Sequence, residues 1–346
     1  MEVHRLAVAG QQPVIARDVG DRVCWVWLST SRFAAVEAMA TLTLTLGPDA
    51  GSFYDRGSAR ASTGRPRAAL EDYQQALTMY RQASDRGNEA ATLSNIGLVY
   101  DNLGDRQRAL DHYHQALPIR REVGDRAGEA TTLNNIGRVY HRLGNHRQAL
   151  DHYHQALPIP REVGDRAGEA TTLTNIGGVY DNLGDRQRAL DHYHQALPIR
   201  REVGDRAGEA TTLNNIGSVY HRLGNHRQAL DHYHQALPIT REVGDRAGEA
   251  TTLTNIGGVY DNLGERQKAL DHYHQALPIR REVSDRAGEA TTRYNIAMVH
   301  RADGDLDQAI RELELVVALD RQVGHPDLED DTAFLEQLRQ ERAKRR

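Results

Sequence analysis

The sequence predicts an all-α protein made of helix hairpins stacked one after another, and three observations carry that expectation. The pentapeptide GEATT returns at Gly128, Gly168, Gly208, Gly248 and Gly288, with NEAAT at Asn88, so the chain repeats every 40 residues without insertion or deletion. Within one period the apolar residues recur at spacings of three and four, the stripe of an amphipathic helix. In the unit 128–167 a glycine follows each stripe, where a left-handed residue commonly ends a helix. A fixed period of this length marks units that bury their apolar faces only against their neighbours.

Residues 1–47 stand outside this register and hold both tryptophans and the single cysteine, Cys24. RVCWVWLST reads as strand-like and TLTLTL alternates, but two short strands do not make a stable domain alone. The segment is the remnant of an upstream domain, an extra element packed on the first unit, a poorly ordered stretch or one misassigned as coding. Seven units follow: 48–87, 88–127, 128–167, 168–207, 208–247, 248–287 and 288–327. The first is a diverged copy in which Gly57, Gly64, Ala69, Tyr73 and Ala76 fall where Gly97, Gly104, Ala109, Tyr113 and Ala116 fall. VYHRLGNHRQAL occurs only at Val139 and Val219, alternating with VYDNLGDRQRAL or its variant, so a block of 80 residues was duplicated.

In the unit 128–167, Leu133, Ile136, Tyr140 and Leu143 form the stripe of a first helix, which Gly144 stops. Asn145 is placed to cap a second helix, with Gln148 three residues on in the capping-box pattern. That helix carries Ala149, Tyr153, Ala156, Ile159 and Val163; Gly164 ends it and Asp165 is placed to cap the next. Pro118, Pro158, Pro198, Pro238 and Pro278 interrupt the second helices. A proline in a helix interior loses one hydrogen bond and crowds a carbonyl at a cost of about 3 kcal/mol, so packing is expected to offset it. Two outcomes stay open: the second helix continues past the proline with a bend, or it ends at Leu157 and a turn follows. Residues 328–346 read as a final helix whose Phe334, Leu335 and Leu338 cover the last hairpin, ahead of a basic tail.

Leu133, Ile136, Gly137 and Tyr140, followed by Ala149 and Tyr153, resemble the tetratricopeptide repeat, and the resemblance covers about 280 of the 346 residues. Leucine replaces the family's tryptophan, tyrosine replaces phenylalanine, and the second helix is longer. This longer form is similar to repeats of kinesin light chains, of spindle-orientation adaptors and of bacterial regulators that join such arrays to signalling ATPases or CHAT-type proteases. The resemblance implies a right-handed superhelical solenoid and a protein-binding adaptor; the alternative it implies is a regulatory arm that docks a neighbouring domain of a signalling or transcription-regulatory system.

It also implies that the polar face of each first helix lines the concave wall. One asparagine stands at the same place in six units, Asn95, Asn135, Asn175, Asn215, Asn255 and Asn295. A carboxamide donates and accepts at once, so a column of them suits the main chain of an extended peptide. The competing reading is that the copies are young and the asparagine bonds a neighbouring helix. At about 1 kcal/mol net per hydrogen bond, six rungs give about 6 kcal/mol, short of the roughly 8 of micromolar binding, so side-chain pockets must add to them. Asn134, Asn214, Arg138, His141 and His221 flank the column, with Asp101, Asp181 and Asp261 at the rim, a mixture that suits a client of either sign.

No GxxxxGK[ST], HExxH or GxSxG occurs, so no catalytic residues and no cofactor are expected. Recurrent acids such as Glu129 and Asp151 read as solvated charges. In HYH at His112–His114 the two rings point about 200° apart on a helix, and equivalent histidines in successive units lie too far apart for one ion, so no metal is expected. Protonating all 17 histidines would move the formal charge from −5 to +12, which makes binding or solubility that changes between about pH 7 and 5 a hypothesis. A net charge of −5 with acids and bases interleaved argues against nucleic acid. No apolar run approaches the roughly 18 residues of a membrane helix, no secretory signal pattern opens the chain, and a lone cysteine fits a reducing cytoplasm.

Overall fold

The computed structural model describes residues 2–345. Its helices are α1 (Glu2–Ala9), α2 (Pro13–Ser29), α3 (Phe33–Leu44), α4 (Ala50–Ser62), α5 (Pro66–Gln82), α6 (Arg86–Asn102), α7 (Arg106–Glu122), α8 (Arg126–Arg142), α9 (His146–Ala156), α10 (Pro158–Val163), α11 (Arg166–Asn182), α12 (Arg186–Glu202), α13 (Arg206–Arg222), α14 (His226–Glu242), α15 (Arg246–Asn262), α16 (Arg266–Glu282), α17 (Arg286–Ala302), α18 (Leu306–Val323) and α19 (Leu328–Arg345). No strand occurs among the described residues. The fold is an all-α solenoid of helix hairpins, and the chain divides into two compact units, residues 1–175 and 176–346.

Each hairpin closes on one contact. A Cβ built on Gly137 of α8 would lie 2.6 Å from Cε1 of Tyr153 on α9, and one on Gly217 of α13 would lie 2.7 Å from the same atom of Tyr233 on α14. The glycine lets the ring approach the helix backbone closely, and both tyrosines are buried. In α17 and α18 the pair becomes Ala297 and Leu313, both fully buried: where the ring shrinks, the methyl returns. Between hairpins, Leu133, Ile136 and Val139 of α8 pack with Tyr113 and Leu117 of α7 and with Ala156 and Ile159.

The helix ends follow the sequence closely. Gly144 and Gly164 adopt φ of 75° and 73°, so a side chain there would be strained. Asp125, Asp165, Asp205 and Asp245 accept from the backbone N–H of Gly128, Gly168, Gly208 and Gly248 at 2.8 Å. Asn145 does occupy the N-cap of α9, but its side chain makes no capping bond, and the same holds for Asn225 before α14.

The prolines resolve the two open outcomes by context. Helices α7, α12, α14 and α16 run through Pro118, Pro198, Pro238 and Pro278. Pro118 and His114 are exposed, so the His114 carbonyl that the proline leaves unbonded is on the side open to water. Only after α9 does the helix break, at Leu157, because Pro160 joins Pro158 and two nearby amide donors are missing at once.

The N-terminal expectation of strands is overturned. RVCWVWL lies within α2 and most of TLTLTL within α3. Val36, Met39, Ala40 and Thr43 are the buried residues of α3, a spacing of three and four that the short threonine–leucine alternation hides. Cys24, Val36, Met39 and Ala59 share a core with Trp27 and Phe33, so this segment packs on α4, and His4 Nε2 meets Thr43 Oγ1 at 2.8 Å in the interior.

A second correction concerns Glu129, expected to be solvated. It is 5% exposed, as are Glu89 and Glu249. Arg121, from the preceding hairpin, donates to it at 2.7 Å, and Arg126 grips its other oxygen while reaching Glu162 at 2.7 Å. The same clamp recurs as Arg201–Glu209–Arg206–Glu242. The arginines are about half exposed, so they stay hydrated and the buried carboxylate carries the desolvation cost that only intact clamping offsets. Glu209→Ala should therefore lower stability by about 2–3 kcal/mol, whereas Glu242→Ala, at the exposed end of the same chain of charges, should leave it close to that of the wild type. Urea unfolding of the two variants measures the contrast; equal losses would contradict it.

Candidate functional site

The first helices hold the asparagine column and the residues expected to flank it. Asn135, Asn175, Asn215, Asn255 and Asn295 are each half-buried, and their side chains make no hydrogen bond among the described residues. Asn95 differs: its Nδ2 donates to Tyr54 Oη at 2.9 Å. Asn95 and Asn135 line one cavity of about 240 Å³ together with Tyr54, Leu98, Arg120 and Thr131. In residues 1–175 the row is thus Asn95, Asn135 and Asn175; in 176–346 it is Asn215, Asn255 and Asn295.

The flanking residues are mostly engaged with the protein. Asn134 donates to Thr172 Oγ1 at 2.9 Å and Asn214 to Thr252 Oγ1 at 2.8 Å, joining successive first helices. Arg138 and Arg142 converge on the fully buried carboxylate of Asp101, at 3.2 and 2.9 Å. Arg222 pairs with Asp181 at 2.7 Å. Asp261 has no such arginine, because Ala302 stands at the place of Arg142 and Arg222, and burial pushes its carboxyl above the ordinary value. Of the rim acids, Asp101 and Asp181 are therefore neutralised by the wall itself. His141 packs edge-on against His146, and His221 against His226, while His221 Nε2 also meets Asn262 Nδ2 at 2.6 Å.

Two features escaped the sequence. Arg120, Arg200 and Arg280, at the ends of their second helices, turn back to the aspartate five residues on, at 2.5 Å for Arg200–Asp205 and 2.6 Å for Arg280–Asp285. The recurrent five-residue spacing of arginine and aspartate was the available signal. The second is the pairing of non-equivalent histidines in successive units. His114 and His152 bring their rings to 6.2 Å, as do His194 and His232. His112, His152 and His232 also stack on Tyr100, Tyr140 and Tyr220 at 5.5 Å. No group of three or more histidine, cysteine or acidic side chains is placed to hold a metal among the described residues. No helix there is long and apolar enough to cross a membrane.

A model described as Tetratricopeptide repeat matches residues 49–122, 89–162, 128–202, 168–242, 208–282 and 248–322 in overlapping register. The chain belongs to the tetratricopeptide repeat family. No curated protein matches it. Among solved structures it is similar to the apo form of the quorum sensor NprR from B. thuringiensis, with a TM-score of 0.73 and 17% identity, covering 88% of this chain and 87% of that one. A Rap protein complexed with Competence and Sporulation Factor aligns with a TM-score of 0.62 and 16% identity over 95% of this chain and 99% of that one. A signal transduction ATPase with a tetratricopeptide repeat sensor from Pyrococcus horikoshii aligns with a TM-score of 0.65 and 14% identity, over 93% of this chain and 53% of that one. At these identities the likeness is one of fold.

Burial, then the neighbouring imidazole, pushes His152 and His232 of this tetratricopeptide array below the ordinary 6.5. A histidine that resists charging when folded stabilises fully above 6.5, and that contribution is lost as pH falls through its lowered folded value. Asp21 and Asp55, raised to about 6 and about 7 by burial and neighbouring carboxylates, act with the opposite sign. The readout is accordingly a difference between proteins: the melting temperature of wild type should fall further from about pH 7 to about pH 5 than that of a His152→Phe/His232→Phe variant, which keeps the stacks without the titration. Parallel curves would refute it.

Proposed function

We propose that the protein is a non-enzymatic interaction scaffold in which each compact unit binds an extended peptide segment along its asparagine row. One observation carries this reading. Five carboxamides on first helices are half-buried yet unpartnered, while Asn134, Asn214, Arg138 and Arg142 beside them are tied down. A half-buried amide whose donors and acceptor are all unused is already partly desolvated, so a peptide backbone that satisfies it gains the net value of the bond. Family membership supports a protein-interaction role, and the Rap protein with its bound factor supports the choice of such a partner. No nucleic acid, membrane or cofactor enters the proposal. The single thiol, Cys24, is buried and free, and we assign the scaffold to a reducing cytoplasm.

The second reading, a sensor arm acting on a signalling partner, is favoured by the likeness to the ATPase that carries a tetratricopeptide sensor. Both readings use the same face and differ in whether the occupant is a free peptide or a neighbouring domain.

A panel of random extended peptides, screened against the full chain, supplies the test. Alanine at Asn215, Asn255 and Asn295 together should weaken any peptide that binds that unit by about 3 kcal/mol, more than a hundredfold, with circular dichroism unchanged. The same substitution at Asn95, already bonded to Tyr54, should lower stability in addition to affinity. Unaltered affinity in the triple variant would remove the rows from the account and leave the fold standing.

A further inference from the structure

The seam between the last hairpin and α19 inverts the charges found at every second seam before it. At the place of Arg120, Arg200 and Arg280 stands Asp320; at the place of their partners Asp125, Asp205 and Asp285 stands His325; and Asp331 replaces the threonine of Thr131 and Thr251. In an ordinary seam the guanidinium and the carboxylate neutralise each other, as Arg280 does with Asp285 while also donating to Thr251 Oγ1 at 3.0 Å. The last seam has lost the cation and kept the space. A cavity of about 440 Å³ opens there, walled by Ala290, Tyr294 and Val316 and lined by Asp320, Asp327, Asp330 and Asp331 with His325. Asp320 is 1% exposed, and its Oδ2 is buried without a hydrogen-bond partner.

We infer that this cavity binds a cationic side chain, a guanidinium or primary ammonium, through Asp320 and Asp331 with Tyr294 as its wall. A buried carboxylate with an open lone pair is costly unless a donor arrives, and a guanidinium supplies several donors together with the missing charge. The ring of Tyr294 offers a face for a delocalised cation. A metal ion is the poorer fit, because no three of these side chains are placed to ligate one. Burial, then the hydrogen bond and the charge of Asp320, pushes Asp331 up to about 6. The charged or titratable groups facing it are Asp320 on α18, His325 and Asp327 in the connection, and Asp330 on α19; the α17 residues that line the cavity are uncharged. None of the asparagines takes part, so the site stands whether or not the rows hold a peptide.

The test uses the full chain with Nα-acetyl-arginine amide at about 10 mM and its neutral citrulline analogue as control, read by saturation-transfer NMR and by melting temperature. The arginine compound should bind and raise the melting temperature, and the citrulline compound should do neither. Asp320→Asn should weaken binding at least about tenfold while raising the melting temperature of the free protein, since it removes an unpaired charge. Asp331→Asn, on the less buried side, should weaken binding as well and serves if the first variant fails to fold. Binding should also decline as pH falls through about 6, where Asp331 takes up a proton. Equal binding of both compounds, undiminished binding by the variants, or a stronger response to Ca2+ than to the arginine amide would overturn the assignment.

Discussion

The close approach of a second-helix tyrosine to a first-helix glycine is the constraint on which the array depends. At Gly137 and Gly217 there is no room for a methyl group beneath the ring, so the distance between the two helices of a hairpin is set by the thickness of an aromatic side chain lying on bare backbone. Two effects oppose each other there. Alanine would gain about 1 kcal/mol of helix propensity, but an atom forced to within 2.7 Å of a fully packed ring must displace it, at about 1–3 kcal/mol or more. Packing prevails in the central hairpins, and the substitution of Ala297 with Leu313 shows the chain meeting the same constraint with another pair of volumes.

With that distance fixed, hairpins are joined by polar fasteners whose residues come from both sides of each seam. Glu129 is clamped by Arg121 and Arg126, Asp101 by Arg138 and Arg142, and Asn134 reaches Thr172. What is left over is informative. On a face where most polar groups are paired, the amides of Asn135, Asn175, Asn215, Asn255 and Asn295 have no partner, and at the last seam Oδ2 of Asp320 has none. Binding capacity in such an array is the part of its repeated polarity that the stacking does not consume.

The hairpins were legible because period and stripe agree with one another over five near-identical copies, with a glycine at most of the helix ends. The N-terminal helices were not, since six alternating residues fit a strand as well as they fit the end of a helix, and only the spacing of Val36, Met39, Ala40 and Thr43 distinguishes them. Glu129 was hidden for a different reason: a repeated acid looks the same whether hydrated or buried, and its burial depends on Arg121, eight residues upstream on another hairpin. The asparagine rows were visible as a column, but their availability was not, because pairing of Asn95 requires Tyr54 from the preceding unit. The inverted seam at Asp320 can be read from the aligned repeats once the role of Arg280 and Asp285 is known.

A double-mutant cycle on Gly217 and Tyr233 tests the central constraint most directly. Gly217→Ala alone should destabilise by about 2 kcal/mol through overpacking, and Tyr233→Leu alone by about 3 through the space it leaves. The pair together, which reproduces Ala297 and Leu313, should lose at least about 1 kcal/mol less than the sum, measured by urea unfolding. Additive losses would mean that glycine and ring do not set the spacing, and the account of the hairpin would fail.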